Sequence, residues 1–555
     1  MDKIESKAKM LDVKPLITHY MNQLRLPELF EKYIPKTPQM AIAPSEALTM
    51  MIFNIINSPK PLYKVSEWTT DYLDGIGEFS TQEANKYNDD CLGRNLDRLY
   101  ECKRDELMIE LSVNAINAYQ LATDKIHNDS TTITFKGRYE NQDPNAVQLR
   151  RGHNKDFRPD CQQLVFGLNI TDDGHVPLSF KLFDGNQADD TTHIPNWEEL
   201  RKMLGRVDFI YIADCKLCSE NNLDHIHTNN GYFITVVPKN RSMLKFFQNQ
   251  LESGEVEWEK AYSVQDNRKP SEQHTFYTFE TYRTEKGYRL IWVLSTAKAK
   301  QDRKTRERRL DKAEAELKIL ASKLNRYKLK TREQIESAIA KKTKNVQSLF
   351  NIELIENRET YTKKVGAGKP GPNSIYKEYT KITYELKWQR DQFAIDKQAL
   401  ADGTFPIITN TALNCAEVLW NYKQQPRLEK RFNTIKSVLD VAPVFLEKSS
   451  RIEAITFLYF VALMVISLIE REVRKRMAEK SIESLPILPQ KMKTKNPTWN
   501  NLRYLFRNVH LSEIYVKGQL VKRTLKGLRQ IHIDVLHLLN VPSSAYYSFA
   551  DTRGA

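Results

Sequence analysis

Gln163–Phe183, QLVFGLNITDDGHVPLSFKLF, reads as two alternating apolar runs on either side of Thr171-Asp172-Asp173-Gly174, a sequence suited to turning one strand back on the next. Upstream, Ser130–Phe135 is β-branched and aromatic and follows directly on Asp129. Downstream, Thr192–Leu204 has a helical period, and Val207–Ala213 is a continuous apolar strand ending at Asp214. Ser219–His227 is again helical, and Tyr232–Val237 is a second buried strand. The order is βββαβαβ. It predicts an α/β fold, with a mixed five-stranded sheet flanked by helices and with the first and fourth strands as neighbours.

On both sides of this segment the character of the chain changes. Residues 1–120 read as a small all-helical domain broken by Pro35, Pro38, Pro44, Pro59 and Pro61. Residues 240–404 read as a β-rich insertion, with strands expected at Glu255–Val264, Thr275–Arg283, Tyr288–Ser295 and Tyr379–Trp388. Inside it, about 298–350 is expected to form a helical hairpin. Lys298–Lys344 carries 17 Lys/Arg against 7 Asp/Glu, and Leu310, Leu317 and Leu324 keep heptad spacing for packing on itself or on a partner. The core is expected to resume over 405–480. A basic C-terminal region, 481–555, has helices near Thr498–Phe506 and Leu528–Leu539 and a possible part in DNA binding or dimerisation.

The chain has 555 residues, 84 Lys/Arg against 70 Asp/Glu and a formal net charge of +14, a balance that suits a polyanionic partner such as nucleic acid. The charged start, MDKIESKAKM, is not a secretory signal and points to a cytoplasmic protein. Six cysteines in so long a chain do not make a disulfide framework, and Cys215-Lys-Leu-Cys218 has no second pair to complete a zinc site. Ala454–Ile469 is uncharged for 16 residues, short of the roughly 20 that a bilayer span needs, and reads as a buried core helix. Gly366–Asn373 lacks the spacing of a phosphate-binding loop.

Tyr422–Lys436, YKQQPRLEKRFNTIK, holds the remaining chemistry. Pro426 suits the first turn of a helix, Leu428, Phe432 and Ile435 follow at helical spacing, and Glu429 and Lys436, seven residues apart, are expected on one face. Taken singly, Asp129 is a turn residue, Asp214 a helix cap and the Glu429/Lys436 pair a solvated helix face. Taken together, Asp129 and Asp214 on neighbouring strands and Glu429 on a helix packed against them would form three converging carboxylates. Their repulsion calls for Mg²⁺ or Mn²⁺, and two such ions support in-line phosphoryl transfer.

This order of elements resembles the RNase H-like DDE transposases of bacterial and archaeal insertion sequences. Tyr422, Glu429 and Lys436 match three of the four positions of the Y-x2-R-x3-E-x6-K signature, found in the branch with a β-rich insertion before the last acid; Gln425 stands where that branch has Arg. The resemblance implies that Asp129, Asp214 and Glu429 hold two metal ions per site, and that Tyr422, Gln425 and Lys436 grip phosphates near a transposon end. Lys155 and Arg158, in Gly152–Asp160, would also contact DNA. Trp292 or Trp258 would stack on a flipped base, although a strand Trp is more often core. It further implies cut-and-paste transposition of double-stranded DNA through hairpin ends and 3′-OH strand transfer, carried out by a homodimer. A DNA-binding protein without catalysis and a nuclease without strand transfer are the rival classes.

Overall fold

The computed structural model describes residues 4–72, 84, 86–137, 139–140, 142–266, 271–372, 374–441 and 446–550. The chain divides into two units, one of Met1–Thr235, Thr409–Ala412 and Trp420–Ala555, the other of Val236–Ile408 and Leu413–Leu419.

In the first unit the five core strands lie in the order Pro177–Phe183, Gln162–Thr171, Lys125–Phe135, Ile210–Ala213, Tyr232–Val236. The three that come first in the chain pair antiparallel, and the first, fourth and fifth pair parallel. His193–Leu204 and Glu220–Thr228 are the helices that parallel strands need as crossovers. The first strand begins at Lys125, so Asp129 lies within it rather than ahead of it. Polar His127 and Asn128 obscure this in the sequence, yet both are buried, and Asn128 Nδ2 donates to Asn169 Oδ1 of the adjacent strand at 2.9 Å.

The helix Ser449–Glu479 is long and apolar enough by composition to cross a bilayer, but its most apolar window is wholly buried inside the protein. Phe460 packs on Phe180 of the third core strand at 4.9 Å between ring centroids. The charged residues at its flanks are paired. Glu453 accepts from Arg104 at 3.0 Å and Glu470 from Arg431 at 2.8 Å, which fits a core helix with partnered ends.

The terminal regions correct the expectation of purely helical flanks. Ile4–Met10 pairs antiparallel with His510–Val516, which in turn pairs with Gln519–Lys526. Each segment alone is short and charged, and the partner that completes the ladder lies some 500 residues away, out of reach of any local pattern. The helices Lys14–Gln23, Leu26–Tyr33, Pro44–Asn57, Asp89–Glu101 and Arg104–Tyr119 follow the first of these strands.

In the second unit, Glu259–Gln265, Gln273–Arg283 and Arg289–Ser295 form an antiparallel meander. Thr296–Ser322 and Arg332–Thr343 form the helical hairpin, and Leu317 and Leu324 are buried against Ile335, Ile339, Tyr384 and Leu386. Leu310 is fully buried with Val346, Leu349 and Phe350. The heptad leucines are therefore core of this unit and are not free to face another copy. The strand Phe350–Lys364, which pairs with Tyr376–Arg390, was not expected. Most of its side chains are exposed, so the backbone ladder defines it and no apolar alternation announces it.

Candidate active site

The parallel register pairs Lys125 with Ile210, Ile126 with Tyr211 and His127 with Ile212. Continued by two residues, it sets Asp129 level with Asp214, where the fourth strand has just ended. Asp214 Oδ1 accepts from the Lys216 backbone N–H at 2.9 Å, and its carbonyl accepts from Thr235 Oγ1 of the fifth strand at 2.6 Å. Both aspartates act on Tyr422. Burial, then Asp214, Cys215 and Asp129, push its phenol up to about 12, so at neutral pH it is a donor.

Asp129 is half-buried. Its Oδ1 accepts from the Ser130 N–H at 2.7 Å and lies 3.9 Å from Lys155 Nζ, which also donates to Ser130 Oγ at 3.2 Å. The loop carrying Lys155 is anchored on the same strand: Asn154 Nδ2 donates to Thr134 Oγ1 at 3.0 Å, and the Lys155 N–H donates to Thr132 Oγ1 at 3.0 Å. Asp156 takes a hydrogen bond from Thr134 Oγ1 at 2.9 Å and an ion pair from Lys436 at 2.7 Å. Arg158, by contrast, forms a fork with Asp160 at 2.9 and 2.7 Å. That fork holds the Asp160 carboxyl well below the usual carboxylate range.

Pro426 opens the helix Pro426–Asn433, which carries Glu429 at an exposed position. One turn before Glu429, Gln425 faces inward instead of meeting phosphate. It is buried, its Oε1 lies 3.2 Å from His127 Nδ1, and its Nε2 donates to the Asn128 carbonyl at 2.6 Å. Gln425 thus fastens the helix of Glu429 to the strand of Asp129. After Asn433 the helix widens into a π turn, Thr434–Val438, closed by Leu439 N–H to Thr434 O at 2.9 Å. Such turns shift the phase of a helix and recur at functional sites. Lys436 leaves from this turn, so the seven-residue spacing does not by itself put it on the face of Glu429.

Among the described residues, no three His, Cys, Asp or Glu side chains lie close enough together to hold a metal ion. The donor chemistry of Asp129, Asp214 and Glu429 suits hard divalent cations. The register, continued, sets the two aspartates level, and with Glu429 they do not form such a cluster. Trp292 and Trp258 belong to the second unit. Trp292 is 1% exposed and stacked on Phe247 at 3.7 Å, which places it in the core and leaves no face for a base. Trp258 is half-buried, edge-on to Phe247 at 6.2 Å. The sequence reading missed the roles of Asp156, His127 and the π turn; only Asp156 carried a signal, as the acid beside Lys155.

Residues 6–113 match the model of a family described as a domain of unknown function, DUF4277. No curated protein matches the chain. Among solved structures, the chain is similar to a piggyBac transposase synaptic complex with hairpin DNA, at 10% identity and a TM-score of 0.36, over 91% of this chain and 82% of that one. It is also similar to a Mos1 transposase paired-end complex with left transposon end, at 11% identity and a TM-score of 0.14, over 40% of this chain and 76% of that one.

Proposed function

We propose that this chain is a DDE transposase of an insertion sequence, with an RNase H-like core interrupted by a β-rich insertion, acting on double-stranded DNA as a polynucleotidyl transferase and endonuclease. One observation carries the reading. The parallel register of Lys125–His127 with Ile210–Ile212, continued by two residues, sets Asp129 level with Asp214 just past the end of its strand, and the helix bearing Glu429 is fastened to the strand of Asp129 through Gln425. In this reading Asp129, Asp214 and Glu429 hold Mg²⁺ or Mn²⁺, which when bound supplies charge neutralisation and activates the attacking oxygen. Tyr422, protonated at neutral pH, donates to a phosphate oxygen, and Lys155 and Lys436 exchange their carboxylate partners for DNA phosphates. Strand cleavage, hairpin formation and 3′-OH joining at target DNA follow in a homodimeric synapse.

The test incubates the purified chain with Mg²⁺ and a plasmid carrying the DNA that flanks its own gene, beside Asp129→Asn and Glu429→Gln. Excised ends or hairpins from the wild type alone support the proposal. The rival reading is a DNA-binding protein that does not cleave. Equal DNA binding by all three proteins with no cleavage by any would select it.

A further inference from the structure

We propose that the cavity between the helix Pro426–Asn433, the Gly174-His175 turn and the helix Ser449–Glu479 is a binding site for a phosphate group. The cavity is about 300 Å³, and its lining includes Arg427, Lys430, Arg431, Arg474, Glu470 and His175. Four basic side chains thus face one carboxylate. Arg431 is committed to the fold: it donates to the carbonyls of His175 and Gly174 at 2.9 Å each and to Glu470 Oε2 at 2.8 Å. Arg474 is held by the Pro497 carbonyl at 2.7 and 3.0 Å. Glu470 is taken up by Arg431 and by the Trp499 N–H at 2.8 Å.

That leaves Arg427 and Lys430, whose side chains make no hydrogen bond or ion pair among the described residues. It also leaves His175 Nε2, buried and without a hydrogen-bond partner there. Burial, then the neighbouring arginines, push the His175 imidazole down to about 3, so at neutral pH the ring is uncharged and its Nε2 can serve as an N–H donor. Burial and like charges also lower the ammonium of Lys430 and the guanidinium of Arg474. A crowd of cations with one acid is relieved by an anion, and the several oxygens of a phosphate can accept from guanidinium, ammonium and imidazole at once. Arg427, Lys430, Arg431 and, at the start of the π turn, Thr434 fall at positions i, i+3, i+4 and i+7 of one stripe, and Glu429 lies off it. The site is therefore separate from the carboxylates, and its existence does not depend on the catalytic reading.

The phosphate could belong to a DNA backbone or to free inorganic phosphate. The experiment titrates the full chain with inorganic phosphate by calorimetry, at an ionic strength held constant with chloride, beside Arg427→Gln/Lys430→Gln and the milder Lys430→Gln. The expected result is saturable binding that weakens roughly tenfold or more in the double variant and part-way in the single one. Both positions are exposed and their removal relieves like-charge repulsion, so the phosphate-free melting temperatures should not fall below that of the wild type. Equal phosphate affinity in all three proteins, or no saturable binding by the wild type, overturns the proposal. A short DNA duplex added to the phosphate-saturated chain separates the sources. Displacement of phosphate assigns the site to the DNA backbone, and simultaneous binding assigns it to free phosphate.

Discussion

Replacing Gln425 with Ala tests whether one buried amide holds the helix of Glu429 against the strand of Asp129. The side chain is 9% exposed and makes two contacts, to His127 Nδ1 at 3.2 Å and to the Asn128 carbonyl at 2.6 Å. His127 is fully buried and Asn128 is 7% exposed, so neither recovers water readily when the amide is removed. A buried group left without its hydrogen bond costs about 1–3 kcal/mol, which puts Gln425→Ala at about 2–6 kcal/mol for the pair, less if water enters the hole. Gln425→Glu keeps the size and an acceptor for His127, but sets a carboxylate oxygen against the Asn128 carbonyl. It should cost at least as much as Ala, although it is the closer mimic. Gln425→Arg, the residue of the signature, regains a donor to Asn128 but leaves His127 without its acceptor and buries a charge, so it too should destabilise. The assay is urea unfolding of the full chain, followed by the midpoint of the transition lost in these variants, because a chain of two units need not unfold in one step. A Gln425→Ala protein within roughly 0.5 kcal/mol of the wild type would refute the reasoning.

Trp292→Ala removes a 1%-exposed ring stacked on Phe247 and should cost about 3–5 kcal/mol by thermal unfolding; a variant of normal stability that lost only DNA processing would return Trp292 to a base-stacking role. Leu317→Ala opens a hole in the helical hairpin and should cost about 2–5 kcal/mol, read as faster amide exchange across Thr296–Ser322 and Arg332–Thr343 with the first unit unchanged. Glu470→Gln leaves Arg431 without its buried countercharge and should cost about 3–5 kcal/mol in denaturant unfolding, unlike substitutions of exposed acids such as Glu429. Arg451, His127 and Arg289 hold the carboxyls of Asp97, Asp172 and Glu280 below their ordinary range. Their contribution is present above the unfolded carboxylate pKa and is lost as pH falls through the lower folded values. The melting temperature should therefore drop below about pH 4 and stay flat with respect to these groups from pH 5 to 8, as a pH series would show.

The core was legible where the chain alternates or runs apolar between turns, because period-two patterning and crossover helices restrict the sheet order to few choices. That is why Gln162–Thr171, Pro177–Phe183, Ile210–Ala213 and Tyr232–Val236 lie close to where the sequence puts strands. Legibility failed where backbone hydrogen bonds, and not side-chain burial, define an element. Phe350–Lys364 is mostly exposed, and Ile4–Met10 finds its partner at the far end of the chain. It failed again at Lys125–Asn128, where buried polar groups satisfy one another across strands and conceal the start of the strand that carries Asp129.

Gln425 draws these strands of reasoning together. As a signature position it reads as a lost charge, which implies a weaker hold on phosphate. Its surroundings imply something else, because an amide that both donates and accepts suits a carbonyl and an imidazole facing one buried point. An arginine there has five donors and no acceptor, and could satisfy only one of the two. The cationic positions along this segment lie elsewhere, at Arg427, Lys430 and Arg431 around the cavity, and at Lys436 within the π turn. If phosphate binding has moved along the helix in this chain, Arg427→Gln should weaken DNA binding while Gln425→Ala chiefly lowers stability. The opposite pattern would restore the signature's usual meaning.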